Sequence, residues 1–323
     1  MDNLTHSLIG AALGQAGLKR KTGLAMPALI IAANLPDIDA ACFFWLEGTE
    51  HLGFRRGITH GPIAMAVLPL LLAGALWGYD RWQTQRGTRP AGRLPVHFGW
   101  LFALSLIGCL SHPLFDWFNN YGVRFLEPFS STWFYGDTLF IIDPWILALL
   151  GAGVWFSLRR ERAGNGHWAR PARLAVAGVA AFIAANFQIS SYAVHKMRAH
   201  LQLYPDSKTL VVANAVPLRF WHREMLFRSG PFYGSGDFSL VSGEATERRN
   251  DLGGTERRSE DVDLDQARKA DPEVAAFLFW SRMPTVDRVD GELLLRDQRF
   301  MDPRTAGSFS VLLRKPDTTS SPE

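Results

Sequence analysis

Residues 97–118 read HFGWLFALSLIGCLSHPLFDWF, and this stretch decides the fold. It is an apolar run of the ~20 residues that a helix needs to cross a bilayer core. Near its C-terminal end it carries His112 and Asp116. An ionisable side chain at the centre of such a helix costs about 2.5–3.5 kcal/mol, so each needs a compensating partner. The i, i+4 spacing places both side chains on one helical face. The pair reads either as a satisfied intramembrane couple or as part of a ligand-binding site.

Further apolar segments lie on both sides. Pro62–Tyr79, Thr138–Leu158 and Arg173–Val194 are long enough to span. Thr5–Leu18 is short, and Leu24–Leu46 is interrupted by Asn34-Leu35-Pro36-Asp37-Ile38-Asp39, so these two are expected to enter partly or as broken helices. The expected fold is mainly α, a polytopic membrane domain of about six helices over residues 1–194. A C-terminal extracytoplasmic α+β domain is expected over residues 195–323. Met1-Asp2-Asn3 lacks the basic start of a cleavable signal peptide.

Lysine and arginine orient the helices. One set of connections holds Lys19, Arg20, Lys21, Arg81, Arg86, Arg89, Arg93, Arg159, Arg160, Arg162, Arg170 and Arg173, and the alternate set holds Arg55, Arg56 and Arg124. Twelve against three places the first set in the cytoplasm. The expected protein is then a multi-pass inner-membrane protein with its C-terminal domain in the periplasm. The net charge of +3 is spread over these short clusters, so a nucleic-acid partner is not expected; the bilayer is. Cys42 and Cys109 lie in apolar surroundings without CxxC spacing and read as buried thiols.

With that topology, His6, Asp37, Asp39, His60, His112, Asp116, Asp137 and Asp143 all fall on the outer side. Each alone has a plainer reading: His6 as an interfacial ring, Asp37 as a helix cap, His60 as an interfacial hydrogen-bonder. Together they predict a metal site, because adjacent carboxylates repel unless a cation lies between them. Histidine nitrogen with carboxylate oxygen suits zinc, manganese or iron(II), with zinc commonest in hydrolysis. A thiolate finger is excluded by the cysteine count.

Met1-Asp2-Asn3-Leu4-Thr5-His6-Ser7, Leu35-Pro36-Asp37-Ile38-Asp39, Arg56-Gly57-Ile58-Thr59-His60-Gly61, Ser111-His112-Pro113-Leu114-Phe115-Asp116 and Ile141-Ile142-Asp143-Pro144 occur in this order. In that combination, over roughly residues 1–160, the sequence resembles the YdjM-type inner-membrane metal-dependent hydrolases. The resemblance implies a helical core similar to that of zinc-dependent phospholipase C. It also implies metal-site roles for His6, Asp37, Asp39, His60, His112, Asp116 and Asp143. Many members carry histidine where this chain has Arg55, which bears on a second or third ion and leaves the number of ions open. Arg55 and Arg56 are candidates to hold an anionic substrate oxygen, since a guanidinium fork suits phosphate.

The leading functional expectation is a hydrolase cleaving a phosphoester or lipid-linked ester of an amphiphilic substrate such as a phospholipid. In it, Asp39 or Asp37 acts as base and a divalent ion, zinc first, activates water. An ion- or proton-coupled transporter is the alternative, and a metal-stabilised scaffold the third. The tail leaves any protein partner unnamed. It reads as strands over Thr209–Val216, Arg219–Phe227, Phe232–Ser242 and Phe309–Leu313, with an Asp271-capped helix Pro272–Arg282. Glu244–Lys269, which holds TERRND and TERRSE, reads as a solvated loop.

Overall fold

The computed structural model describes residues 1–204, 207–249, 254–301 and 306–313. The chain divides into two compact units. Met1–Asp39, Arg56–Tyr192 and Asn214–Arg223 form the first; Ala40–Arg55, Ala193–Ala213 and Glu224–Glu323 form the second.

The first unit is helical. Helix α1 (Asn3–Gln15) starts at Asp2, whose carboxylate accepts from the Thr5 amide at 3.0 Å. Helix α2 (Ala25–Ala32) bends by 47° into a 3₁₀ stretch, Leu35–Phe44, where Pro36 removes a backbone donor. The short helix α3 (Glu50–Phe54) belongs to the second unit. Helices α4 (Pro62–Gln85), α5 (Phe98–Trp117), α6 (Pro144–Arg162) and α7 (Arg170–His200) complete the order.

Among the described residues, α4, α5 and α7 are long and apolar enough to cross a membrane, and the bent pair of α2 with Leu35–Phe44 makes a fourth. The short Thr5–Leu18 segment is a helix of 13 residues, which rises only about 20 Å against a ~30 Å core. The segment expected over Thr138–Leu158 becomes helical only at Pro144, where Asp143 supplies the cap and proline the first turn.

Close contacts set the centre of this unit. A Cβ on Gly10 of α1 would stand 2.6 Å from the Leu29 carbonyl oxygen. A Cβ on Gly108 of α5 would stand 2.7 Å from the Ala32 Cβ and 2.9 Å from the same Leu29 oxygen. Two helices thus press onto α2 through glycine at one carbonyl, and Ala28, Leu29 and Ala32 have no exposed surface. Small residues at helix crossings are how membrane helices gain close packing without a hydrophobic drive between them.

The second unit carries the β structure. The strands are β1 (Leu210–Ala215), β2 (His222–Ser229), β3 (Phe232–Ser239), β4 (Glu244–Glu247) and β5 (Glu256–Arg258) in one sheet. Its order is β1-β2-β3-β4; β4 and β5 pair antiparallel with successive parts of β3, at Gly236–Ser239 and Phe232–Gly234. Helices α8 (Leu264–Ala270) and α9 (Pro272–Trp280) follow, and β6 (Pro284–Val289), β7 (Glu292–Asp297) and β8 (Ser310–Leu312) form a second antiparallel sheet.

Helices followed by a β-rich tail match the expected order, and the four expected strands and the Asp271-capped helix are present. The expected loop over Glu244–Lys269 is corrected: it contributes β4, β5 and α8. Its charged residues lie on β4 and β5, where the three residues of β5 are all exposed, and Asp263 caps α8 through the Gln266 amide. Asn250 and Asp251 of TERRND lie outside the described residues. The β6–β7 hairpin was not expected. Its signal is Asp290-Gly291, both at positive φ (52° and 87°), the requirement of a type I′ turn.

Ala40–Arg55 joins this unit because α3 packs on α9. The Thr49 amide donates to Glu273 Oε2 at 3.1 Å, and a Cβ on Gly53 would meet Ala276 Cβ at 3.2 Å. The last residue of α9, Trp280, is buried and stacked on Phe309 with ring centres 5.3 Å apart.

A fully buried ion pair holds the end of β7: Asp297 accepts from Arg299 Nε at 2.8 Å and from the Ser281 hydroxyl at 2.5 Å. Burial pushes the Asp297 carboxyl up, but Arg299 and these hydrogen bonds outweigh it and hold the group below its ordinary value. A carboxyl depressed by folding stabilises above its unfolded pKa and loses that contribution as pH falls through the folded one.

Two measurements test these packing arguments. Gly108→Leu overpacks the α2–α5 crossing and is expected to lower the thermal midpoint of detergent-purified protein by the equivalent of at least about 1–3 kcal/mol. Gly74→Leu, where a side chain meets nothing within 4 Å, is the neutral control. Hydrogen exchange on the full chain is expected to show β7 amides losing protection below about pH 4. Asp297→Ala should lose that protection at every pH, at a cost of about 3–5 kcal/mol.

Candidate metal centre

The C-terminal turn of α5 brings His112 and Asp116 inward, one turn beyond the Gly108 crossing. The His112 Nδ1 lies 2.7 Å from the Ala33 carbonyl at the end of α2. A carbonyl only accepts, so Nδ1 carries the proton and Nε2 presents its lone pair. The close helix crossing and the ring orientation are one piece of architecture.

His60 is set by a second relay. It ends a short 3₁₀ turn, Ile58–His60, and its Nδ1 lies 2.9 Å from the Thr59 hydroxyl. That hydroxyl is 3.1 Å from Asp39 Oδ2. An ionised carboxylate only accepts, so the Thr59 proton points to Asp39 and the Thr59 oxygen accepts from His60 Nδ1–H. His60 Nε2 is then also a lone-pair donor. Burial holds the His60 imidazole below its ordinary value, which keeps the ring in the neutral form that binds metal.

The free ends of these rings converge. His60 Nε2 lies 3.5 Å and His112 Nε2 3.6 Å from Asp116 Oδ2, and His112 Nε2 lies 3.6 Å from Asp37 Oδ1. Ligand atoms of Asp37, His60, His112 and Asp116 all lie within 4.8 Å of one another. These separations are at or beyond the limit of hydrogen bonds, but ligands on a tetrahedron about 2.1 Å from an ion stand about 3.4 Å apart. Both Nε2 atoms are buried without a hydrogen-bond partner. Orphaned nitrogens facing carboxylate oxygens at ligand spacing fit a divalent cation, and the N₂O₂ set suits zinc, manganese or iron(II).

Asp116 is the hub. Arg56 Nε reaches its Oδ2 at 3.0 Å, and the Met1 amino group is paired with its Oδ1. His6 lies 3.4 Å from that same Oδ1 and stacks on the His112 ring at 3.8 Å, so it borders the four-residue group without sharing its centre.

Other expected residues stand outside the four-residue group. Asp39 lies outside the four-residue group and instead accepts from the Arg56 amide at 2.7 Å and from Thr59. Asp143 also lies outside it; its Oδ1 caps α6 through the amides of Trp145 (3.0 Å) and Ile146 (3.2 Å). Arg56 is buried, with its guanidinium engaged by Asp116, Asn119 Oδ1 at 3.1 Å and the Gly122 carbonyl at 3.3 Å, and lying over the Tyr121 ring. Arg55 belongs to the second unit, its guanidinium 5.7 Å from the Phe43 ring centre.

Sequence reasoning missed Thr59, Asn119 and the Ala33 carbonyl as supports. Thr59 was legible, since it lies beside His60 and between two carboxylate-bearing motifs. The Ala33 carbonyl, a backbone group brought in by a helix crossing, carried no signal.

Metal affinity measured by titration calorimetry on detergent-purified chain is expected to be lost in His112→Ala. Thr59→Val and Asp39→Asn, which leave every ligand in place, are expected to weaken it about 10–100-fold.

The comparisons with known proteins follow the same residues. No curated protein and no solved structure matches the chain. A sequence model described as YdjM inner membrane protein matches residues 1–194, which hold every residue of the centre. The chain belongs to the YdjM inner membrane protein family.

Proposed function

We propose that this protein is a membrane-embedded hydrolase that uses a divalent metal, zinc first, to cleave a phosphoester of an amphiphilic substrate at the outer membrane face. The supporting observation is the convergence of Asp37, His60, His112 and Asp116 at the ends of helices long enough to span a bilayer. The twelve-to-three bias of basic residues supports an outward-facing centre and a periplasmic tail.

Residues Asp37, His60, His112 and Asp116 would hold the ion. When bound, such an ion acidifies water and draws charge from a phosphoryl oxygen. The chain's own residues do the rest. Asp39 and Thr59 orient His60, the Ala33 carbonyl orients His112, and Arg56 holds Asp116 in place. Asp37 is the least buried of the four, so it is the carboxylate nearest solvent and the one to take the proton of an attacking water.

One observation favours a second reading. Four ligands fill a tetrahedron, the closed shell of a structural ion. Hydrolysis therefore requires a higher coordination number or a position yielded by Asp37.

Phosphoesterase activity of purified protein is expected to vanish on chelation and return with metal. Asp37→Asn is expected to retain a bound ion while losing about 10²–10⁴-fold in kcat. If chelation instead unfolds the protein and no phosphoester or lipid ester is turned over, the ion is structural and the hydrolase reading is wrong.

A further inference from the structure

A groove of about 490 Å³ runs along α4 and α5. Ala66 lines it from α4, Phe102, Leu106, Leu110 and Leu114 line it from α5, and His60 is its polar end. The α5 residues recur every fourth position, so the groove follows one stripe of that helix. Twelve residues of helix rise about 18 Å, slightly more than half of the ~30 Å hydrocarbon core.

We infer that this groove seats one hydrocarbon chain of a membrane lipid whose polar head lies at His60, so that substrate enters the centre sideways from the bilayer between α4 and α5. This deepens the hydrolase reading and rests on it for the fate of the head group. Seating of the chain stands on the groove alone.

Three observations carry the inference. Both walls are helices long and apolar enough to span, so the surroundings of the groove are hydrocarbon. Its wall is apolar except where it meets His60, whose Nε2 faces Asp116. Its dimensions also suit one chain: about 490 Å³ over about 18 Å gives a narrow channel with a cross-section of roughly 27 Å². Ala66 is exposed at the groove wall, with room above its methyl group.

The test reads lipid retention rather than turnover. Full-length protein is reconstituted with dioleoyl phosphatidylethanolamine and phosphatidylglycerol, re-extracted in mild detergent, and weighed by native mass spectrometry. Wild type is expected to keep a lipid adduct. Ala66→Trp and Leu106→Trp, which fill the groove from different helices, are expected to lower it about tenfold, equivalent to ~1.4 kcal/mol of binding. Ala66→Phe is the milder substitute if either fails to fold.

Leu71→Trp, on an exposed part of α4 outside the groove, should leave the adduct unchanged. No adduct in wild type, or equal loss in all variants, overturns the inference. So does a wild-type dimer that Ala66→Trp breaks, which would give the groove to a second copy. Adduct loss confined to the groove variants in a protein without hydrolase activity leaves the lipid seat standing and removes only the catalytic reading. With activity present, the same variants should raise KM for the long-chain lipid and leave a short-chain soluble phosphoester unaffected.

Discussion

The Leu29 carbonyl is the point on which the membrane unit turns. Gly10 of α1 and Gly108 of α5 both approach it more closely than any side chain would permit. Because α5 is held at Gly108, its next turn delivers His112 to the open carbonyl of Ala33. One backbone crossing therefore fixes helix spacing, satisfies an otherwise unpaired helix-terminal acceptor and selects the histidine tautomer. Loss of the crossing would disturb packing and ligation together, although no ligand residue is touched.

Electrostatics at Asp116 follow from this placement. A carboxylate buried to 1% exposure is stable only if opposite charge and donors surround it. Arg56 and the Met1 amino group do so. Asp37 and Asp39, from a 3₁₀ stretch that Pro36 breaks away from α2, take different roles only two residues apart. The first faces the shared centre; the second holds the loop that carries His60.

The helical half and much of the centre were legible because their signals are local. Apolar length marks a span, i, i+4 spacing marks a shared face, and a charge in hydrocarbon needs a reason. Asp143 shows the limit of that logic. Its position among the acidic residues suggested a ligand, yet Asp143-Pro144 has the same cap-then-proline pattern that correctly placed the helix after Asp271-Pro272. Arg56 shows another limit: a guanidinium beside a site reads as a phosphate grip until tertiary packing reveals that its donors are spent on Asp116 and Asn119. In the tail, charge density over Glu244–Lys269 concealed two edge strands, because an exposed edge tolerates charges that a central strand does not. The Asp290-Gly291 hairpin was readable and passed over.

The backbone of Arg56 lies in the left-handed region at φ 55°, a conformation that costs a residue with a side chain about 1–2 kcal/mol. Its amide binds Asp39 while its side chain binds Asp116. The loop ending at His60 is thus a latch held under tension, with one residue fastening both sides. Removing the negative charge at position 39, which lies outside the four-residue group, would release the amide side of that latch and leave every ligand position filled. The first sign of damage would be a slackened 55–61 segment, visible as motion of a loop whose own sequence is intact.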